Sequence, residues 1–153
     1  MNLAFLRLAA LSLSLAAGAS FAADTAPVND KFTPARGKIA EKNWTAAIDE
    51  LKKVNDPASA EWNNLMGYTL RKSDAGNAGE AEKFYDEALR IEPRHRGALE
   101  YSGELYLMTG NLAKAEERLA ALDKACFLPC EEYSDLKKAV ARYKAAGNKY
   151  VAQ

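Results

Sequence analysis

Histidine, cysteine and recognisable catalytic motifs are scarce in this chain of 153 residues, which contains one His and two Cys. The single His95 cannot be assigned to a catalytic triad from sequence alone, and the chain has neither a glycine-rich phosphate loop nor an H-E-x-x-H motif. Carboxylates are abundant, but those near predicted helix starts are expected to be solvated, because the helix dipole favours them there. The sequence therefore predicts no enzyme, no cofactor and no metal ion.

Net charge is also missing, since 21 Lys and Arg residues balance 21 Asp and Glu residues. A nucleic-acid partner would favour a basic face, so the balance argues against nucleic acid. The composition, 48% hydrophobic and 27% charged, is that of a soluble globular protein with room for one domain.

A long apolar run occurs only near the N-terminus, where Arg7 precedes the apolar residues 8–17. Ser20 and Ala22 are small residues at the positions that a signal peptidase reads. The run is shorter than the ~20 residues that span a bilayer, so residues 1–22 are interpreted as a removed signal peptide rather than an anchor. Residues 23–32 then form a flexible leader. The expected product is exported and, in a bacterium, periplasmic, with no stable membrane insertion.

One local pattern recurs three times at an interval of 34 residues. A period near 34, with small and large apolar residues on a helical stripe, is typical of a helix-turn-helix solenoid. Four columns of residues share the period: Asn43, Asn77 and Asn111; Ala47, Ala81 and Ala115; Leu51, Tyr85 and Leu119; Val54, Ala88 and Leu122.

Capping and proline signals divide the chain into helices. Thr33 before Pro34 predicts the start of the first helix, and Asp56 before Pro57 predicts the start of the third. The three Asn residues of the first column predict the starts of the second, fourth and sixth helices. Because the links are short, we expect three antiparallel pairs. A seventh helix that matches no column, within residues 126–147, is predicted to cap the stack, with a tail at 148–153.

These columns resemble the tetratricopeptide repeat, whose pattern is W-x2-L-G-x2-Y, then A-x3-F and A, with a proline near the end. The middle repeat carries Asn63, Met66, Gly67, Leu70, Ala81, Tyr85, Ala88 and Pro93, and the last carries Leu99, Ser102, Gly103, Tyr106, Ala115, Leu119 and Leu122. Two extra residues lie in the turn of the middle repeat, and the first unit matches only in its second helix. The resemblance covers residues 33–125 and implies an all-α, right-handed α-solenoid.

The resemblance also implies that a protein or peptide partner binds a concave groove lined by the first helix of each pair. Some members of the family hold a peptide carboxylate there with Lys, Asn and Arg, but here two glutamates follow one repeat later, so that clamp is not reproduced. The alternative is an ordinary solvated face. A mixed groove fits a peptide with a basic and an apolar portion. The groove positions are Asn64, Tyr68, Arg71, Lys72, Glu100, Glu104, Leu107 and Met108.

Cys126 and Cys130 flank Pro129 in a C-x3-C spacing. A proline makes a loop favourable and permits a disulfide, which export would stabilise. The first interpretation is a structural clip between the last repeat and the cap. The alternative is a copper or thiol-redox site, because two thiolates can hold a soft metal, although His95 has no local partner.

The leading functional hypothesis is therefore a non-catalytic, exported adaptor that docks a partner in its groove. Replacing Tyr68, Arg71 and Leu107 with alanine is expected to abolish capture without unfolding the protein. The alternatives are the copper or redox carrier and self-association through the incomplete first helix pair.

Overall fold

The computed structural model describes residues 30–151, which form seven α-helices and one short 3-10 helix. Links of three to five residues join consecutive helices. Each helix packs on the next in sequence, and α5 also contacts α3 and α7. The helices are α1 (Thr33–Ala40), α2 (Trp44–Val54), α3 (Ala60–Ser73), α4 (Ala78–Ile91), α5 (Arg96–Met108), α6 (Leu112–Ala125) and α7 (Glu131–Ala145). The predicted all-α stack of three helix pairs followed by one further helix is confirmed.

Two of the three predicted asparagine caps are present. The side chains of Asn43 and Asn111 accept hydrogen bonds from the backbone N–H groups of Ala46 and Lys114, each at 3.2 Å. Asn77 makes no such bond, because the two extra residues of the middle repeat are absorbed in a 3-10 turn, Ala75–Asn77, that precedes α4. Asp74 caps that turn instead, accepting from Gly76 N at 2.8 Å.

The third helix begins later than the sequence predicts. Asp56 and Pro57 lie in the preceding link, and the side chain of Ser59 caps α3 by accepting from Trp62 N at 3.3 Å. Trp62 then donates its indole N–H to the carbonyl of Leu51 at 2.7 Å. This buried hydrogen bond fixes α3 against the end of α2, so the entry angle of α3 depends on Ser59 and Trp62 rather than on the proline.

The folded body begins earlier than the predicted leader allows. Phe32 is only 4% exposed and belongs to a hydrophobic cluster that extends from α1 to α5. Its backbone N–H donates to a side-chain oxygen of Asp30 at 3.2 Å. Asp30, Lys31 and Phe32 are therefore part of the ordered structure, whereas the predicted signal peptide (1–22), the rest of the leader (23–29) and residues 152–153 lie outside the described residues.

Small residues occupy the points where helices cross, as the repeat columns predict. Ala47, Ala81 and Ala115 are fully buried. At Gly67 of α3 the approach is tight, since a Cβ placed there would lie 2.8 Å from Cε1 of Tyr85 and 3.1 Å from the carbonyl oxygen of Ala81. The absence of a side chain at Gly67 thus makes room for the fully buried ring of Tyr85.

Helix α7 packs against α5 and α6 and covers the apolar end of the stack. Leu136 is fully buried and lies against Gly103, where an added Cβ would be 2.5 Å from its nearest methyl carbon. Tyr143 and Leu122 join the same cluster. Within residues 30–151, none of the helices has the length and apolar character needed to cross a membrane.

The packing predicts opposite effects for two Gly to Ala substitutions. Gly67→Ala should lower the free energy of unfolding by about 1–3 kcal/mol, because the new methyl group overlaps the Tyr85 ring. Gly37→Ala should raise it by about 0.5–1 kcal/mol, because Gly37 lies in α1 with no atom within 4 Å of its would-be Cβ and alanine favours the helix. Urea denaturation measures both values, and effects of the same sign would contradict this packing.

Candidate functional site

The first helix of each pair, α1, α3 and α5, lines one open cleft of about 500 Å³ together with the start of α7. The cleft lies on the face where the resemblance places a partner groove. Both aromatic and charged side chains contribute to its walls. The lining residues are Arg36, Ile39, Glu61, Asn64, Leu65, Tyr68, Glu92, Arg94, His95, Arg96, Gly97, Glu100, Tyr101 and Glu132.

Of the eight residues predicted to form the groove, three line this cleft: Asn64, Tyr68 and Glu100. Lys72 is exposed in the last turn of α3, outside the lining. Met108 is half-buried and packs against the hydrophobic cluster that extends from α1 to α5. The predicted groove positions therefore lie on two of the helices that line the cleft, but only three of them line the cleft itself.

Leu107, Arg71 and Glu104 need correction, because their side chains point into the structure. Leu107 is 1% exposed and packs in the cluster that α7 covers, so it is a core residue. The Arg71 side chain is 2% exposed, and its Nη2 lies 2.8 Å from Oε2 of Glu104. Alanine at Arg71 or Leu107 is therefore expected to destabilise the fold, contrary to the expectation from the sequence, since both substitutions would remove buried contacts.

The pair between Arg71 and Glu104 ties α3 to α5. Burial alone would lower the pKa of Arg71, but Tyr85 and Glu104 together raise it above its ordinary value, so the guanidinium stays charged inside the protein. The guanidinium carbon also lies 5.7 Å from the ring centre of Tyr68 and 5.8 Å from that of Tyr101. Arg71 therefore supports both rings from within the stack.

Three aromatic side chains follow one another from α2 to α5. The ring centres of Trp44 and Tyr68 are 6.3 Å apart, and those of Tyr68 and Tyr101 are 4.7 Å apart. Tyr68 and Tyr101 both line the cleft. They offer a contiguous aromatic surface with hydroxyl groups, the combination that protein interfaces favour.

Glu100 is the most unusual ionisable group of the cleft. Its residue is 9% exposed, and the loss of solvent, together with the neighbouring carboxylates of Glu104, Asp135 and Glu132, raises the pKa of Glu100 to about 8. Arg71 acts in the opposite direction but less strongly. At neutral pH the Glu100 side chain is therefore mainly an uncharged acid.

His95 is partly buried at the start of α5. Its Nδ1 accepts a hydrogen bond from Ala98 N at 3.2 Å and so caps α5, and its Nε2 lies 3.1 Å from Oε2 of Glu61. Burial alone would raise the pKa of Glu61, but hydrogen bonds from His95 and Asn64, with the charge of Arg36, lower it below its ordinary value. His95 thus joins the α4–α5 link to α3.

The arginines of the cleft have acceptors within the protein. Arg36 contacts Glu61 at 2.7 Å, and Arg96 contacts Glu132 at 3.5 Å. Arg94 donates to the backbone carbonyl of Lys124 at 2.9 Å, near the end of α6. These cations are consequently less available to an anionic partner than their number suggests.

Several cleft residues could not be found from the repeat columns. Tyr101 is equivalent in the repeat to Leu65, a position that the sequence pattern places in the interior. In that turn of α5, only the neighbouring Glu100 is a predicted groove residue. Glu132 belongs to α7, which matches no column. His95 and Arg36 approach Glu61 only through the folding of α1 and the α4–α5 link.

The loop between α6 and α7 is closed by a disulfide between Cys126 and Cys130, whose Cα atoms are 5.9 Å apart. It presents Phe127, 98% exposed, and Leu128 to solvent. The copper alternative would need both sulfurs as thiolates. Within residues 30–151, no group of three or more His, Cys, Asp or Glu side chains is placed to hold a metal ion.

Stacked helix pairs with a cleft along the first helix of each pair define a helical-repeat solenoid. The family model of the tetratricopeptide repeat matches residues 72–140 of the chain. This match supports the resemblance that the repeat columns predict, and tetratricopeptide repeat proteins are typically non-catalytic interaction scaffolds. The match includes the first part of α7, which the repeat columns did not cover. Comparison with curated proteins found no match.

The buried ion pair predicts unequal effects at two adjacent basic residues. Arg71→Ala should lower the free energy of unfolding by about 3 kcal/mol, because it leaves the Glu104 carboxylate without its guanidinium in a largely buried position. Lys72→Ala should cost less than about 0.5 kcal/mol, because Lys72 is exposed. Chemical denaturation of the two variants provides the measurement, and equal losses would rule out a structural role for Arg71.

The raised pKa of Glu100 predicts a pH-dependent stability. Its folded pKa, about 8, exceeds its ordinary value of 4.5, so the folded state binds more protons between these values and stability falls as the pH rises through this range. Glu100→Gln removes this titration, so the stability of the variant relative to the wild type should increase by up to about 4 kcal/mol between pH 5 and pH 9. Thermal and urea unfolding at both pH values test this.

Glu117→Gln is the matched control, since Glu117 is an exposed carboxylate of α6 away from the cleft. Its stability relative to the wild type should not change with pH. A Glu100→Gln variant that tracks the wild type across the same pH range would show that Glu100 titrates normally.

Proposed function

We propose that this protein is an exported, non-catalytic adaptor that holds a segment of a protein partner in the cleft along α1, α3, α5 and α7. The observation that carries the proposal is the paired ring surface of Tyr68 and Tyr101 inside a cleft that also contains the unpaired amide oxygen of Asn64. Tyrosines supply large contact areas at little entropic cost and are frequent anchors of protein interfaces. A cleft of about 500 Å³ has the volume for several side chains of a peptide.

The wall chemistry favours a polypeptide over a small apolar ligand. Tyr68, Leu65 and Ile39 offer apolar contacts, whereas Asn64 and Glu100 offer hydrogen-bond acceptors along the same cleft. A peptide presents apolar side chains and backbone or side-chain donors at short intervals, so it can satisfy both kinds of surface at once.

A non-catalytic role is supported by the state of the only histidine. Both ring nitrogens of His95 are engaged, Nδ1 with the backbone of α5 and Nε2 with Glu61. The imidazole therefore links the start of α5 to α3. It is not positioned as a general base beside a nucleophile.

Export is supported by the sequence of residues 1–22 and agrees with the disulfide. The basic residue, apolar run and small residues of that segment follow the order of a secretory signal. Disulfides persist in oxidising compartments, and the Cys126–Cys130 bridge fits such a location. The proposed site of action is the bacterial periplasm.

Selection of peptides from a random library displayed on phage tests the proposal. The full chain should enrich a shared motif, and the double variant Tyr68→Leu/Tyr101→Leu should bind the enriched peptides at least about tenfold more weakly, because the rings are lost while apolar volume is kept. Fluorescence anisotropy with a synthetic peptide measures the affinity. Circular dichroism confirms that the double variant is folded.

Phe127→Leu serves as the control, because it removes an exposed ring that lies outside the cleft. It should leave peptide affinity within about twofold of the wild type. The cleft would be excluded as the binding site if Phe127→Leu weakened binding while Tyr68→Leu/Tyr101→Leu did not.

A further inference from the structure

Glu100 is a nearly buried acid without a polar partner in the cleft. Within the described residues, no hydrogen bond or ion pair reaches its carboxyl group, although the residue is 91% buried. The arginines that line the cleft are each held by another acceptor, and Arg71 is committed to Glu104. A buried carboxyl group without a counter-charge is costly when ionised, so a ligand that supplies positive charge would relieve this cost.

Asn64 provides a second, independent acceptor in the same cleft. Its residue is 4% exposed, and its Nδ2 donates to Glu61 at 3.1 Å, whereas its Oδ1 is buried with no hydrogen-bond donor. A buried acceptor without a donor is rare in native proteins, and such an atom marks a place where a ligand donor is missing.

The amide of Asn64, on α3, contacts α5 about one helical turn before Glu100. The amide of Asn64 lies against Gly97, where an added Cβ would be only 3.1 Å from Nδ2. Gly97 precedes Glu100 by three residues, so the two positions lie on the same side of α5 and are separated by roughly 5 Å along the helix axis. One ammonium or guanidinium group can reach both acceptors over such a distance.

Tyr101 and Tyr68 complete the surroundings of this position. Their rings line the cleft next to Glu100 and Asn64, with centres 4.7 Å apart. The methylene groups of a long basic side chain pack well on such rings, and a cation near a ring face gains further stabilisation.

We propose that the cleft contains a subsite for a lysine or arginine side chain of the partner, with the cationic group bound between the Glu100 carboxylate and Oδ1 of Asn64. This inference rests on the proposed function and specifies the partner's chemistry. Glu132 and Asp135 of α7, Glu104 of α5 and the paired Arg71 of α3 are the charged groups that surround Glu100. Their balance is acidic, which favours a cation over an anion.

Binding should also release a proton. In the free protein Glu100 is mainly protonated at pH 7, and a cation beside it stabilises the carboxylate. The proton passes to the buffer, so about one proton per bound peptide should be released at pH 7. Isothermal titration calorimetry in phosphate and in Tris measures this number, because the two buffers differ in their heat of protonation.

The test uses one peptide selected from the phage library and synthesised in two forms. The enriched sequences should share a lysine or arginine at one position, and replacing it with norleucine should weaken binding to the wild type by roughly tenfold to a hundredfold. Glu100→Gln should remove most of that difference and abolish proton release. Glu117→Gln, the exposed control, should behave as the wild type in both measurements.

The outcomes separate this inference from the proposed function. Enriched peptides that lack a shared basic residue, or a lysine preference that survives Glu100→Gln, would overturn the cationic subsite while leaving the peptide-binding cleft in place. Failure to enrich any peptide would overturn both. Spermidine that binds more tightly than the lysine peptide would reassign the acceptors to a free polyamine and overturn the assignment to a polypeptide.

Discussion

The close approach of α3 and α4 at Gly67 is the constraint on which the rest of the structure depends. Because no side chain is present there, the Tyr85 ring fills the crossing and interacts electrostatically with Arg71. Arg71 in turn pairs with Glu104 of the next repeat. Gly67 thus determines the distance between α3 and α4 within one helix pair. Through the buried side chain of Arg71, it also affects how this pair packs on the next one.

The charge character of the cleft follows from this internal use of Arg71. In sequence, Arg71 and Lys72 suggest a basic stretch of the groove opposite two glutamates. In the structure Arg71 forms an ion pair with Glu104 and lies close to the rings of Tyr68 and Tyr101. It therefore links α3 to α5 and does not present an exposed charge. The cleft retains the aromatic rings, an amide oxygen and an acid, which are the groups on which the proposed cationic subsite rests.

The repeat columns predict the fold well because each column reports a packing requirement that is local to one helix pair. Ala47, Ala81 and Ala115 are all fully buried, as their shared phase requires. The columns predict the site less well, because they identify the side of a helix and not the depth of a residue. Leu107 lies on the predicted side yet is buried, since α7 packs over the end of α5. Because α7 matches none of the repeat columns, the 34-residue period cannot predict which residues of α5 this helix buries.

Helix α7 therefore has two consequences that arise from the same packing. Its apolar side, with Leu136 against Gly103, closes the hydrophobic end of the stack. Its first turns bring Glu132 and Asp135 toward α5. Their carboxylates and the burial of Glu100 both raise the pKa of Glu100, so its side chain is mainly uncharged at neutral pH. The segment outside the repeat columns thus contributes to the acidic surroundings of Glu100 as well as to the closure of the core.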